Sequence, residues 1–168
     1  MLHLTLDETD VLIVRCTILD DRGTNVRLRT FFLSRSAEAP MGVESAARVV
    51  LVVEDEAVER AAIAEEFRNY GWHVLEAASG EHALALLADN YVDVVFTDIQ
   101  LAGIMSGWDT AEAVRARAPA VAVLYTSGNA CDPARQVAAS LFIGKPYEPT
   151  FVIEVCHSLL DEPDCSAE

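Results

Sequence analysis

Lysine is nearly absent from this chain of 168 residues, and basic residues of any kind are few. Lys145 is the one lysine among 12 basic residues, against 27 acidic residues, so the formal net charge is −15. A surface this acidic repels the phosphate backbones of nucleic acids. We therefore expect proteins or cations as partners and no nucleic acid. The single lysine, in a chain that otherwise uses arginine, raises the question of what its position requires.

Long apolar runs and paired cysteines are also missing. No apolar run approaches the ~18 residues of a membrane span, and the chain does not start with a basic segment, an apolar stretch and a small-residue cleavage site. The cysteines form no CxxC pair and no Cys/His cluster with the spacing of zinc ligands. We expect a cytoplasmic protein with reduced thiols and no membrane role. The cysteines are Cys16, Cys131, Cys156 and Cys165.

From residue 48 onward, short apolar runs alternate with helical patterns. The predicted strands are 48–53, 72–77, 92–97, 120–126 and 140–144. The predicted helices are 56–70, 79–90, 108–118, a short or irregular stretch near 131–139, and about 149–160. Apolar strands separated by helices are typical of a parallel sheet that is buried on both faces. The pattern predicts an α/β fold with a doubly wound five-stranded parallel sheet and helices on both faces.

Individual residues indicate the faces and ends of these helices. Val58, Ala62 and Phe67 are predicted to lie near one apolar face of the first of them. Ser79 is predicted to cap the next helix, and Pro149 suits the first turn of the last one.

The N-terminal residues do not follow this alternation. The apolar runs "DVLIVRCTIL" and "NVRLRTFFL" flank "DDRGT", which predicts a hairpin whose turn contains Gly23. The stretch 34–47 is linker-like. The alternative is a mis-assigned start, with Met41 as the true first residue. The predicted organisation is an N-terminal extension at 1–47, a main domain at 48–161 and a short acidic tail at 162–168.

Polar and charged side chains follow four of the predicted strands. Because the carboxyl ends of parallel strands meet at one edge of an open sheet, we expect these side chains to converge. Acidic residues at such positions can also be helix caps, and the lysine could be a solvated strand end. The residues are Glu54 and Asp55, then Asp98, then Thr126 and Ser127, and finally Lys145.

The chemistry of this set is coherent. Clustered carboxylates repel one another and need a cation, and an all-oxygen site suits Mg²⁺. An aspartate can attack phosphorus and form an acyl phosphate. The transferred group carries several negative charges, which a metal ion, the Lys145 ammonium and the Thr126 hydroxyl would stabilise. The strand ends therefore favour phosphoryl chemistry.

Four motifs carry a resemblance to a known family. They are "VVLVVEDE", "VVFTDIQLAG", "VLYTSG" and "FIGKPY". With these motifs in this order and at this approximate spacing, the stretch from about Val49 to Leu160 resembles the CheY-like receiver domain of two-component response regulators. The resemblance implies a flavodoxin-like fold.

The resemblance also implies a magnesium site. Asp55 and Asp98 would bind the ion directly, and Glu54 would assist. The backbone carbonyl of Gln100 would complete the protein ligands. Glu54 stands where aspartate is commoner in the family, so the ion could be held differently here.

Catalytic and switching residues follow from the same resemblance. Asp98 corresponds to the phosphoacceptor, Thr126 to the switch hydroxyl, and Lys145 to the lysine that contacts a phosphoryl oxygen. Phe142 occupies the position of an aromatic side chain that changes rotamer on activation, with a plain core phenylalanine as the alternative. The family also implies a cis peptide between Lys145 and Pro146.

The resulting functional prediction is a two-component signalling protein. Asp98 would receive a phosphoryl group from a histidine kinase or a histidine phosphotransfer protein. The chain would act as a stand-alone receiver that signals to a downstream protein target by contact or relay, and a homodimer is left open. It would be no enzyme beyond Mg²⁺-dependent self-phosphorylation and autodephosphorylation.

Three alternatives belong to other functional classes. The first is a pseudo-receiver that binds partners without phosphorylation. The second is an aspartate-nucleophile phosphatase of the haloacid dehalogenase type, which is disfavoured because Gln100 stands where that chemistry needs a second acid. The third and least favoured is a flavodoxin-like electron carrier, since no hydroxyl-rich phosphate loop follows the strand at 48–53.

Overall fold

The chain divides into two compact units, Met1–Ala46 and Ala47–Glu168, in a computed structural model. The structure describes residues 47–161 and, in the first unit, the strands β1 (His3–Leu6), β2 (Val11–Leu19) and β3 (Val26–Ser34). These three strands form an antiparallel sheet in the order β1-β2-β3. The predicted turn at Gly23, the linker after Ser34 and the tail at 162–168 lie outside the described residues.

The second unit contains a five-stranded parallel sheet. Its strands are β4 (Val49–Val53), β5 (His73–Ala77), β6 (Val94–Asp98), β7 (Ala122–Ser127) and β8 (Ser140–Gly144). They are arranged in the order β5-β4-β6-β7-β8, and every neighbouring pair is parallel. This order confirms the predicted doubly wound sheet, since the chain moves outward from β4 first in one direction and then in the other.

Four α-helices cover the sheet in the described region. They are α1 (Ala57–Asn69), α2 (Gly80–Asp89), α3 (Gly107–Arg117) and α4 (Pro149–Asp161). Helix α1 packs against α4, and α2 packs against α3, so the sheet lies between two helical layers. The hydroxyl of Ser79 accepts a hydrogen bond from the His82 amide and caps α2, as predicted. No helix in the range 47–161 is both long and apolar enough to cross a membrane.

The centre of the sheet is buried on both faces. Every residue of Val50–Val53 and Val94–Phe96 is fully buried. Leu51 and Val53 pack with residues of α2 and α3 such as Ala83 and Val114. Strands enclosed in this way are expected to be apolar throughout rather than alternating, which explains why these runs are continuous in the sequence.

The predicted apolar face of α1 was wrong at two of its three residues. Phe67 is buried, but Val58 is 75% exposed and Ala62 is also exposed. At about 100° per residue, nine positions place Val58 on the opposite side of the helix from Phe67. The buried face instead consists of Ile63, Ala64 and Phe67.

The connection from β7 to β8 contains no α-helix. The stretch predicted near 131–139 forms a 3₁₀ turn of three residues, Pro133–Arg135. The Asp132 carboxylate accepts a hydrogen bond from the Ala134 amide at the start of this turn. In place of a packed helix, Cys131 and Val137 contact a group of rings on β7, α3 and β8. We call this group the aromatic cluster; its rings are Trp108, Tyr125 and Phe142.

Candidate functional site

The polar strand ends converge at the carboxyl edge of the sheet. Asp98 and Thr126 lie opposite each other in the parallel register of β6 and β7. The Ile99 amide donates to the Thr126 carbonyl at 2.9 Å, and the Lys145 amide donates to the Ser127 carbonyl at 2.8 Å. Backbone pairing alone therefore brings the predicted aspartate, hydroxyl and lysine to one place.

Lys145 is the centre of this site. Its Nζ atom lies 2.8 Å from Glu54 Oε2, 2.6 Å from Glu59 Oε2 and 2.6 Å from Asp98 Oδ2. An ammonium has three protons to donate, so these three carboxylates can engage all of them. We call the four residues Glu54, Glu59, Asp98 and Lys145 the acidic pocket.

Burial and charge act against each other in the acidic pocket. Burial raises the pKa of Glu54, and the hydrogen bond and charge of Lys145 offset this effect only in part. Burial would by itself lower the pKa of Lys145, but its hydrogen bonds to Asp98, Glu54 and Glu59 outweigh burial and raise that pKa. The lysine is therefore held as a cation, while one of its partners is a costly buried anion.

Asp98 is held through both of its carboxylate oxygens. Oδ2 accepts from Lys145 at 2.6 Å, and Oδ1 accepts from the Gln100 amide at 2.8 Å. The side chain is only 10% exposed. This places the carboxylate at the edge of the sheet with a fixed orientation, as a nucleophile or a metal ligand requires.

Three carboxylates are close enough together to hold a metal ion. One oxygen each from Glu54, Glu59 and Asp98 lies within 4.8 Å of the others. Opposite ligands of Mg²⁺ lie about 4.2 Å apart, since each bond is about 2.1 Å long. Lys145 Nζ lies within 2.8 Å of one oxygen of each of these carboxylates, so the ammonium already balances their charge. The donors are all oxygens, which is the ligand type that Mg²⁺ takes.

The metal ligands predicted from the sequence only partly coincide with this group. Glu54 and Asp98 belong to it, whereas Asp55 does not. Glu59 belongs to it and was missed by the sequence analysis. The available signal was its acidic side chain in the first turn of α1, directly after the strand end that carries Glu54 and Asp55. The Asp55 carboxylate and the Gln100 carbonyl remain predicted ligands.

The Thr126 hydroxyl is buried without a partner. The residue is 0% exposed, and its Oγ1 atom makes no hydrogen bond with any residue that the structure describes. Buried polar groups nearly always find a partner, so an exception calls for an explanation. Thr126 lies opposite Asp98 in the sheet, which is where a group transferred to the aspartate would need a donor.

The first turns of α1 and α3 are held against the backbone of residues in or next to the acidic pocket. Arg60 in α1 donates to the backbone carbonyls of Glu54 and Asp55 at 2.7 and 3.3 Å. On the other side, a Cβ atom added at Gly107 would lie 2.0 Å from the Asp98 carbonyl oxygen. The start of α3 therefore packs directly on the backbone of Asp98, at a distance that only glycine permits.

The remaining sequence predictions concern β8 and the residues after it. Phe142 is partly buried and packs in the aromatic cluster, and its change of rotamer remains a prediction. The peptide between Lys145 and Pro146 is cis, which confirms the prediction.

The family follows from a comparison with known proteins. A family model described as "Response regulator receiver domain" matches residues 50–156. The chain belongs to this family. It is 27% identical over 110 residues to the Autoinducer 1 sensor kinase/phosphatase LuxN of Vibrio campbellii. It is also 31% identical over 115 residues to a cyclic di-GMP phosphodiesterase of Thermotoga maritima. Each match covers 66% of the chain but only 13% and 30% of these relatives.

Solved structures agree with the family. A response regulator receiver protein from Sinorhizobium medicae has a TM-score of 0.66 and 27% identity, and the match covers 69% of this chain and 96% of that one. The receiver domain of the hybrid histidine kinase CckA has a TM-score of 0.59 and 28% identity, with coverages of 67% and 99%. Receiver domains are phosphoacceptors of two-component systems that interact with histidine kinases or phosphotransfer proteins and bind Mg²⁺ at an acidic pocket.

Proposed function

We propose that Asp98 is the phosphoacceptor of this receiver domain, within residues 48–161. The single observation that carries the proposal is the position of its carboxylate, which lies 2.6 Å from the Lys145 ammonium and opposite Thr126, whose hydroxyl has no partner within residues 47–161. A phosphoryl group on Asp98 would bring the negative charge that Lys145 attracts and the acceptor oxygens that Thr126 lacks.

The phosphoryl donor is a histidine kinase or a histidine phosphotransfer protein. A carboxylate oxygen of Asp98 forms a bond to phosphorus while the bond from phosphorus to the donor imidazole breaks, and the electron pair of that bond returns to the imidazole. Lys145 stabilises the charge on the transferred oxygens. Glu54, Asp55, Asp98 and the carbonyl of Gln100 would hold Mg²⁺, which when bound neutralises further charge on the phosphoryl group.

Phosphorylation is then communicated through Thr126. Its hydroxyl donates to a phosphoryl oxygen and so gains a hydrogen bond that no residue in the described part of the chain provides. Movement of Thr126 changes the packing around it on β7 and β8. Phe142 of β8 then changes its rotamer. The output is contact with a downstream protein target or onward transfer of the phosphoryl group.

Mass spectrometry after incubation with acetyl phosphate and Mg²⁺ tests the proposal. We expect the native protein to gain the mass of one phosphoryl group and the Asp98→Ala variant to gain none. Removal of Mg²⁺ with a chelator should abolish the gain in the native protein. An unchanged native mass, with a known receiver phosphorylated in parallel, would contradict the proposal and favour a receiver that binds partners without phosphorylation.

A further inference from the structure

Glu59 makes a contact that the proposed chemistry does not use. Its Oε2 atom lies 2.6 Å from Lys145 Nζ, as close as the carboxylate of Asp98. Glu59 lies in the first turn of α1 and Lys145 follows β8, so 86 positions separate them. We propose that Glu59 is a positioning residue that holds Lys145 while Asp98 is unphosphorylated and releases it when the phosphoryl group arrives, an inference that rests on the proposed function.

The number of donors on Lys145 forces a choice. In the unphosphorylated protein the three protons of the ammonium can be engaged by Glu54, Glu59 and Asp98. A phosphoryl group on Asp98 adds oxygens that need a donor from the same ammonium. Phosphorylation removes the carboxylate charge of Asp98, so the proton that Lys145 donates to Asp98 can pass to one phosphoryl oxygen. A second proton for the phosphoryl group, which carries up to two negative charges, has to come from Glu54 or Glu59, and the partner that costs less to lose is released.

Exposure identifies Glu59 as that partner. The side chain of Glu59 is 50% exposed, whereas the side chains of Glu54 and Asp98 are 3% and 10% exposed. Breaking an ion pair leaves a buried carboxylate uncompensated, which is costly, whereas water can solvate a carboxylate at the surface. Glu59 can therefore release Lys145 at little cost, while Glu54 cannot.

The backbone of Glu59 is fixed relative to that of Glu54, so the movement that releases Lys145 must come from the Glu59 side chain. Arg60 ties the start of α1 to the carbonyls of Glu54 and Asp55. Only rotation of the Glu59 side chain is then needed for release. Because the contact competes with the phosphoryl group for Lys145, its loss should make Lys145 more available and phosphoryl uptake faster.

The single lysine of the chain gives a direct measurement of the contact. Protein labelled with ¹⁵N at the lysine side chain should give one ammonium signal by nuclear magnetic resonance, from Lys145. The measurement compares the native protein with Glu59→Gln and Glu59→Ala, without Mg²⁺. Glutamine keeps an oxygen acceptor but loses the charge, and alanine loses both. We expect the signal to shift and its proton exchange to accelerate in the order native, Gln, Ala.

Glu56 offers a matched control for the loss of charge. It is exposed, lies three residues before Glu59, and makes no side-chain cap for α1. Glu56→Gln and Glu56→Ala remove the same charge from the same helix start without touching Lys145. We expect these variants to leave the ammonium signal as in the native protein. Thermal melting of all four variants checks that the fold is kept.

Phosphoryl uptake from acetyl phosphate completes the test. We expect Glu59→Gln to be phosphorylated about two- to fivefold faster than Glu56→Gln, the size of effect typical of one partly exposed ion pair. If the native protein takes up phosphate but both signal and rate are the same in the two glutamine variants, the role of Glu59 is refuted and the function of Asp98 stands. If the native protein takes up no phosphate, the proposed function fails and the release step fails with it.

Discussion

The acidic pocket and the aromatic cluster both include residues of the five-stranded sheet, but opposite kinds of interaction hold them. In the acidic pocket three carboxylates share one ammonium, and burial raises the pKa of Glu54. In the aromatic cluster the ring centroids of Trp108 and Tyr125 are 4.5 Å apart, and both residues are buried. The first arrangement keeps unfavourable charge in place, and the second fills space with apolar surface.

The comparison indicates that the acidic pocket carries the reaction and that the aromatic cluster stabilises the domain. Unpaired or repelling groups are commonly retained at functional sites and compensated elsewhere. The β7–β8 connection has no α-helix to cover the sheet, and its residues Cys131 and Val137 pack against the aromatic cluster instead. Substitutions in the cluster should therefore change stability, and substitutions in the pocket should change phosphoryl uptake.

The largest effect is expected for Trp108→Ala. Trp108 is 6% exposed and packs on Tyr125, so its truncation should lower the free energy of unfolding by about 3–5 kcal/mol. Denaturation with urea measures this change. Phosphoryl uptake per folded molecule, measured at low temperature, should stay near the native value. A loss below about 1 kcal/mol would show that the cluster does not stabilise the domain.

Lys145→Arg should have the opposite effect to Trp108→Ala, because it should impair the acidic pocket and leave the stability of the domain almost unchanged. Lysine approaches one phosphoryl oxygen as a compact charge, whereas the planar guanidinium of arginine needs more room among Glu54, Asp98 and the phosphoryl group. We expect thermal melting to change little and phosphoryl uptake to fall by up to about 10²-fold, the effect of removing one preorganised donor. Native uptake in this variant would mean that any cation suffices at this position.

Gly107→Ala is expected to affect both regions. The added Cβ atom would meet the Asp98 carbonyl oxygen at 2.0 Å and must displace backbone. We expect a loss of about 1–3 kcal/mol in stability together with slower phosphoryl uptake. Gly128→Ala is the control, because a Cβ atom there meets nothing within 4 Å. Equal stability of the two variants would contradict the close packing of α3 on Asp98.

The smallest effect is expected for Arg135→Gln. Arg135 pairs with Asp109 at 3.1 Å and lies 5.8 Å from the centre of the Trp108 ring, so it connects the 3₁₀ turn to α3. Both partners of the ion pair are more than 40% exposed. The variant should lose only about 0.5–1 kcal/mol, measured by urea denaturation. Any change in phosphoryl uptake would show that the connection communicates with the acidic pocket.

Much of the fold could be predicted because it depends on local patterns. The continuous apolar runs of β4 and β6 indicated doubly buried strands, and Ser79 indicated the start of α2. The face of α1 was predicted wrongly because three apolar residues were grouped without their angular positions. The 3₁₀ turn at Pro133–Arg135 was harder to foresee, since apolar residues in a short segment fit a helix or an irregular connection equally well.

The candidate site was likewise predictable from the sequence only in part. The sequence alone determined that Asp98, Thr126 and Lys145 follow strands, and a parallel sheet necessarily gathers strand ends at one edge. Only the tertiary structure decided that Glu59 joins Lys145 while Asp55 lies outside the group, and that the Thr126 hydroxyl has no partner among the described residues. The physical reason is that side chains extend several ångströms from the backbone that carries them. Strand order fixes backbone positions, but hydrogen bonds depend on where side chains from distant elements end, within a few tenths of an ångström.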